Sequence, residues 1–275
     1  MRPSKQPLPQ KVFAAFRWTR SSYWMFSGFI ALLALIVYVW WPLVEEYIAT
    51  YNPAYPWWMQ FDWLLLGNFL VMSMLIMANA NLRRDVPIAI IGLAGGMVIE
   101  SWGTQTELWT YYTSERPPLW IIPAWPIASL SIDRLFSVLN QWLREVPQKL
   151  YMALYVIIFP LFYALMLIFV WPTINKSLTV MALFMCAFLI LTPQRKTREM
   201  VLTFIAGAGL GYFLELWGTT RLCWTYYTLE TPPFFAVLAH GMAAVSFWRV
   251  KELWLILAPR IFKNIAPVVE PIDVS

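Results

Sequence analysis

Charge is scarce in this sequence: 13% of its 275 residues are Asp, Glu, Lys or Arg, against about 25% in an average soluble domain. That shortage excludes disorder, a coiled coil and a soluble globular enzyme. Cysteine is nearly absent as well. Cys186 lies in an apolar run and Cys223 beside a loop, which leaves neither a disulfide framework nor a thiolate metal site. His240 is the single histidine, so His-rich metal and haem sites are excluded. There is no Walker-type loop, no Gly-x-Gly-x-x-Gly turn before a helix and no Asp-rich diphosphate site. No metal or other cofactor is expected.

Apolar residues are what the chain has in excess. It is 60% hydrophobic and 17% aromatic, with 17 tryptophans, and its mean hydropathy is +0.59. This hydrophobicity is gathered in blocks long enough to cross a bilayer. Eight stand out, at about 23–44, 57–80, 86–103, 119–140, 150–172, 177–192, 201–217 and 233–250. The expected fold is therefore all-α, a polytopic membrane bundle of about eight spans. The first block is too long for a cleavable signal peptide, so none is expected.

The net charge of +5 would suggest nucleic acid in a soluble protein; here lipid headgroups and topology account for it, and no nucleic-acid partner is expected. Counted from an inside N-terminus, every Lys and Arg except Arg116, Lys176 and Arg221 falls on the inner side. The positive-inside rule thus predicts an inner-membrane protein with both termini cytoplasmic. Residues 1–22 read as a basic cytoplasmic segment and 251–275 as an interfacial segment and tail.

A duplication divides the remainder. Residues 100–118 read ESWGTQTELWTYYTSERPP and residues 215–233 read ELWGTTRLCWTYYTLETPP, identical at 12 of 19 positions. Every Trp, Tyr, Gly and Pro of the first copy recurs. The match continues on both flanks, pairing Arg83 with Arg198, Gly96 with Gly211 and Arg134 with Arg249. The chain is thus read as two membrane repeats, 23–140 and 141–250, of four spans each. An even span number makes the repeats parallel and predicts a pseudo-twofold axis along the membrane normal. Both WTYY loops then lie on the outer face, and corresponding residues surround a shared centre.

Glu100 and Glu215 each close an apolar run. An ionised carboxylate in hydrocarbon costs several kcal/mol, so such a Glu finds donors or keeps its proton. A carboxylic acid protonated at neutral pH can act as a general acid; equally, each Glu could pin its helix end through Thr104 or Thr219 or the WTYY loop. Trp102, Trp109, Tyr111 and Tyr112, with Trp217, Trp224, Tyr226 and Tyr227, read either as an interfacial belt and loop scaffold or as the walls of a ligand or cation site. Gly95, Gly96, Gly207, Gly209 and Gly211 let helices approach closely. Pro117, Pro118, Pro232 and Pro233 stiffen the loops and start the next helices. His240 is the one clear asymmetry, standing where the first copy has Trp125, and is a candidate proton carrier or donor near Glu215. Asp62 with Asn68 reads as a helix–helix contact inside the second span, and Asp133 with Arg134 as an interfacial pair.

The Glu-x-x-Gly-Thr motif, the aromatic-Thr-Tyr-Tyr loop and the proline-started helix, over about 83–135 and 198–250, resemble the integral-membrane carotenoid-modifying proteins. These include carotenoid hydratases and the small-subunit type of lycopene cyclase. The resemblance implies cofactor-independent hydration, cyclisation or isomerisation of a carotenoid or other isoprenoid, with Glu100 and Glu215 as acids and the neighbouring aromatics steadying a carbocation. Cyclases of that type carry a Pro-Glu-Glu cluster at the start of the next helix. The aligned stretches here, IIPAWPIA and AVLAHGMA, have no carboxylate, which favours the hydratase likeness. The alternative is a non-enzymatic protein that binds or transports an apolar ligand, or a structural subunit of a membrane complex.

Overall fold

The computed structural model describes residues 17–192 and 196–263; the N-terminal basic residues Arg2, Lys5 and Lys11, Arg195 and the tail from residue 264 lie outside them. Among the described residues the chain is a helical bundle: α1 (Arg20–Val39), α2 (Trp41–Ala49), α3 (Trp63–Met77), α4 (Leu82–Gln105), α5 (Ala124–Trp142), α6 (Gln148–Phe169), α7 (Ser177–Leu191), α8 (Thr197–Thr220) and α9 (Phe234–Lys263). Two short strands, β1 (Trp109–Tyr111) and β2 (Trp224–Tyr226), follow α4 and α8.

Each predicted apolar block contains one of these helices. Four, α1, α4, α6 and α8, are long and apolar enough to cross a membrane. The apolar α3 and α7 have 15 residues each, about 22 Å of helix against a hydrocarbon core of about 30 Å. The more polar α5 and α9 complete the set. Many large apolar side chains face outward, including Ile157, Ile168 and Phe184, as lipid-facing surfaces require.

Boundaries moved where local chemistry intervenes. The first block breaks at Trp40, because Pro42 begins the separate helix α2. The second helix starts at Trp63 and not 57, so Asp62 caps α3 instead of lying within a span. Pro118 does not start α5; turns intervene and Pro123 precedes the helix, whereas α9 does follow Pro233 directly. The division predicted at 250/251 is bridged by helix, since α9 runs on to Lys263.

The most buried long helix is α8, which packs against α9, α5, α6 and α3. Phe159, Ile190, Met200, Leu202, Met242 and Val245 form the most enclosed part of the core. At the opposite end of the bundle from the strands, the expected interfacial pair Asp133–Arg134 proves to be part of a buried network. Arg134 donates to Asp85 at 2.7 Å, to Asp133 at 2.8 Å and to the Ala78 carbonyl at 2.8 Å. Asp85 is fully buried and also accepts from the Asn81 amide at 2.7 Å. Its counterpart 115 residues later is the apolar Met200.

Removing Arg134 leaves fully buried Asp85 with only the half-exposed Arg84 guanidinium at 3.1 Å and the Asn81 amide as donors. Arg134→Met is expected to destabilise the protein by about 3–5 kcal/mol, read as a lower thermal unfolding midpoint in detergent. The double variant Arg134→Met/Asp85→Leu should recover most of that loss.

Candidate functional site

Two carboxylates organise the strand end of the bundle. Glu100 is 3% exposed and Glu215 2%, each near the C-terminal end of its helix. Trp109 donates its indole N–H to Glu100 Oε2 at 3.0 Å, while Tyr111 and Trp125 donate to Oε1 at 3.0 and 3.2 Å. The second copy repeats the arrangement: Trp224 donates to Glu215 Oε2 at 2.9 Å and Tyr226 to Oε1 at 2.8 Å. The position of Trp125 is taken by His240, whose Nε2 lies 2.9 Å from Glu215 Oε1. Thr104 and Thr219 do not reach the carboxyls. Their hydroxyls donate to the main-chain carbonyls of Glu100 and Glu215, both at 2.6 Å.

The glycines explain how three donors can crowd one helical residue. Positions i−4, i and i+3 share a helix face. A Cβ on Gly96 would meet the Trp125 side chain at 2.3 Å, and one on Gly103 the Trp109 ring at 1.8 Å. In the second copy a Cβ on Gly211 would meet His240 at 2.4 Å and one on Gly218 the Trp224 ring at 2.0 Å. Bare backbone on either side of each Glu therefore seats its donors. Gly95 and Gly207 accommodate Phe247 and the Gly241 backbone, whereas Gly209 faces open space.

The strands join the two clusters. They pair antiparallel, with Trp109 opposite Tyr226, Thr110 opposite Thr225 and Tyr111 opposite Trp224. A donor to one carboxylate thus lies against a donor to the other, with ring centroids 5.8 Å apart in both Trp–Tyr pairs. Trp125 and His240 stack at the same separation. Tyr112 and Tyr227 serve differently: they donate to the carbonyls of Val39 and Phe169, the last residues of α1 and α6. Trp102 donates to Thr179 at 3.2 Å and Trp217 to Asp62 at 3.0 Å.

Asp62 also accepts from Arg221 at 2.8 Å. Burial pushes its carboxyl up, but the bonds from Arg221, the Leu65 amide and Trp217 outweigh that and hold it below the ordinary carboxylate range. Asn68 donates to the Phe213 carbonyl, so both residues attach α3 to α8.

A cavity of about 540 Å³ lies against these clusters, within the size range of small-molecule sites. Glu100, Glu215, His240, Tyr111, Tyr226 and the tryptophans 102, 109, 125, 217 and 224 line it, while Tyr112 and Tyr227 do not. The remaining wall is almost wholly apolar, with Phe29, Phe69, Phe162 and Phe169 among its residues. Ile90, Val98 and Met185 are among its lining residues and are exposed. No group of three or more metal-ligating side chains occurs among the described residues. Sequence reasoning did not single out Trp125 as a carboxylate donor or Trp40 as a wall residue; the alignment of Trp125 with His240 held the signal for the first.

Gly218→Ala forces a Cβ into the Trp224 ring and is expected to cost about 1–3 kcal/mol by overpacking, seen as a lower unfolding midpoint in detergent. Gly209→Ala meets nothing within 4 Å and should leave the midpoint unchanged or slightly raised. Comparison with protein-family models, curated proteins and solved structures gives no match.

Proposed function

We propose that this protein takes an apolar isoprenoid, a carotenoid being the expected example, into the cavity and modifies it by acid/base chemistry without a redox cofactor. The observation that carries this reading is the contact between Glu215 and His240 on a cavity wall that is mostly apolar. An indole N–H can only donate. The Glu100 oxygens held by Trp109 and Trp125 therefore face donors that cannot accept a proton. Each carboxyl also takes a phenol O–H, from Tyr111 or Tyr226, but imidazole, which both donates and accepts, stands beside Glu215 alone and gives that carboxyl a proton partner that Glu100 lacks.

The reaction follows from this division. The Glu215–His240 pair gives a proton to one carbon of a substrate double bond, and the second carbon becomes cationic. Glu100, as carboxylate, and the surrounding ring faces stabilise that charge. Water then adds, a ring closes, or a neighbouring carbon loses a proton, and the proton released returns to the pair. Hydration, cyclisation and isomerisation are thus three fates of one cation.

The same reading takes all eight long helices as spans, arranged as two parallel four-helix repeats about a pseudo-twofold axis along the membrane normal. The strand register supports it, because adding 115 to the pair Trp109–Tyr111 gives its own partners Trp224 and Tyr226. The distribution of Lys and Arg supports an inner-membrane location with cytoplasmic termini and the WTYY loops outside. A second reading, binding or transport of an apolar ligand or a structural role without turnover, is favoured by the full set of donors on Glu100.

The test is to express the protein in a host that accumulates linear carotenoids or other isoprenoids and to compare extracts. New hydrated, cyclised or isomerised products are expected. His240→Gln keeps a donor beside Glu215 but removes the imidazole; it should fold normally and lose about 10²–10⁴-fold in turnover. Unchanged extracts across several substrates would overturn the enzymatic reading.

A further inference from the structure

A second, smaller cavity lies at the end of the bundle opposite the strands. It has a volume of about 80 Å³ and is lined from α4, α5, α8 and α9. Ten of its eleven lining residues form pairs 115 positions apart, as expected of a cavity on the axis proposed to relate the repeats. Four pairs set a polar or charged residue against an aliphatic or aromatic one: Thr203 with Ile88, Ser129 with Ala244, Asp133 with Trp248 and Lys251 with Phe136. The fifth is Phe247 with Ile132. Equivalent positions thus share a place but not a chemistry.

The polar members are available to a ligand. No side-chain hydrogen bond or ion pair joins Ser129, Thr203 or Lys251 to another described residue. Thr203 is 5% exposed, yet neither its hydroxyl nor that of Ser129 is sealed away, as the hydroxyl of Ser131 is. Lys251 offers donors, Asp133 acceptors, and the two hydroxyls can be either. A buried water needs about 10–15 Å³ and roughly two to four polar partners, so about five waters fit here.

Phe247 and Ile91 line both this cavity and the larger one. The Phe247 ring packs against Gly95, where a Cβ would meet it at 2.0 Å, and edge-on against Trp125 at 5.9 Å. Along α9 it stands between Lys251 and His240, about 6 Å of helix from the first and about 10 Å from the second. Ser246, its neighbour, lines the larger cavity only, and its hydroxyl has no partner among the described residues.

We propose that the small cavity is a water site and that its water passes the Phe247 ring into the larger cavity, where it is the second reactant. This rests on the acid/base reading of the larger cavity and selects hydration among the three fates of the cation. The addition balances. The proton given by the Glu215–His240 pair forms a C–H bond at one carbon, and the water oxygen bonds the cationic carbon. The proton that water then loses restores the pair.

The test places single thiols in the full chain, with Cys186→Ala and Cys223→Ala, in lipid nanodiscs. The probe is aminoethyl methanethiosulfonate, which attacks thiolates, and a thiolate forms readily only where water reaches it. Thr203→Cys is expected to react more than about tenfold faster than Val245→Cys in the dry core or Phe184→Cys on the lipid-facing surface. A Thr203→Cys rate equal to either control would overturn the water site. Ser246→Cys should react about tenfold faster when Phe247→Leu is added and more slowly with Phe247→Trp, because reactivity follows the fraction of time the passage is open. Continued modification of Thr203→Cys beside Phe247→Leu shows that this variant keeps its fold. Ser246→Cys rates that ignore both Phe247 substitutions would overturn the route. Modification as expected without any isoprenoid product in the carotenoid host would remove the enzymatic reading and leave the water site. Hydrated product formed without modification of Thr203→Cys would remove the water site alone.

Discussion

A carboxylate buried in an apolar bundle must be given donors, and most of the local architecture serves that need twice over. Glu100 and Glu215 each take three, from a tryptophan and a tyrosine two residues apart in the following strand and from a ring on the next helix. The i−4 and i+3 glycines are bare so that those rings can lie against the helix. The loop between helix and strand turns back so that the strand side chains reach the carboxylate that precedes them. Withdrawing any of these parts would leave a charge in a medium where an unpaired one costs several kcal/mol.

Because β1 pairs with β2, the two carboxylate sets are not independent. The donors of one lie against the donors of the other, tilted in the two Trp–Tyr pairs and stacked between Trp125 and His240, and both sets face one cavity. Within this repeated framework the differences carry the chemical meaning. His240 in place of Trp125 gives one carboxylate a partner that can exchange a proton. Trp40 in place of Val170 gives α1 an aromatic C-terminal cap where α6 has an aliphatic one. At the far end of the bundle, Asp85 in place of Met200 supplies a partner for buried Arg134. A duplicated unit with three such departures has two unlike halves.

The cavity's setting suits an apolar ligand. Exposed apolar residues of α4 and α7, Ile90, Val98 and Met185, contribute to its wall. Its polar groups are those of the two carboxylate clusters, and the rest of the wall is almost wholly apolar.

The sequence alone determined the membrane character, the helical class and the doubled motif, because block hydrophobicity and a 115-residue repeat are one-dimensional signals. Glu100, Glu215 and the Trp and Tyr that bind them were legible as a recurring set, and the alignment exposed His240 as the odd member. Only the tertiary structure decided which aromatic does what. Tyr111 and Tyr112 are neighbours in sequence, yet one binds a carboxylate and the other caps α1, since alternate strand residues point to opposite faces. It likewise moved Asp62 out of its span, buried Asp85 with Arg134 from 49 positions away, and stacked Trp40 on Trp217 in the cavity wall. Those outcomes depend on which helices pack together, and side chains distant along a chain become partners only once that packing is complete.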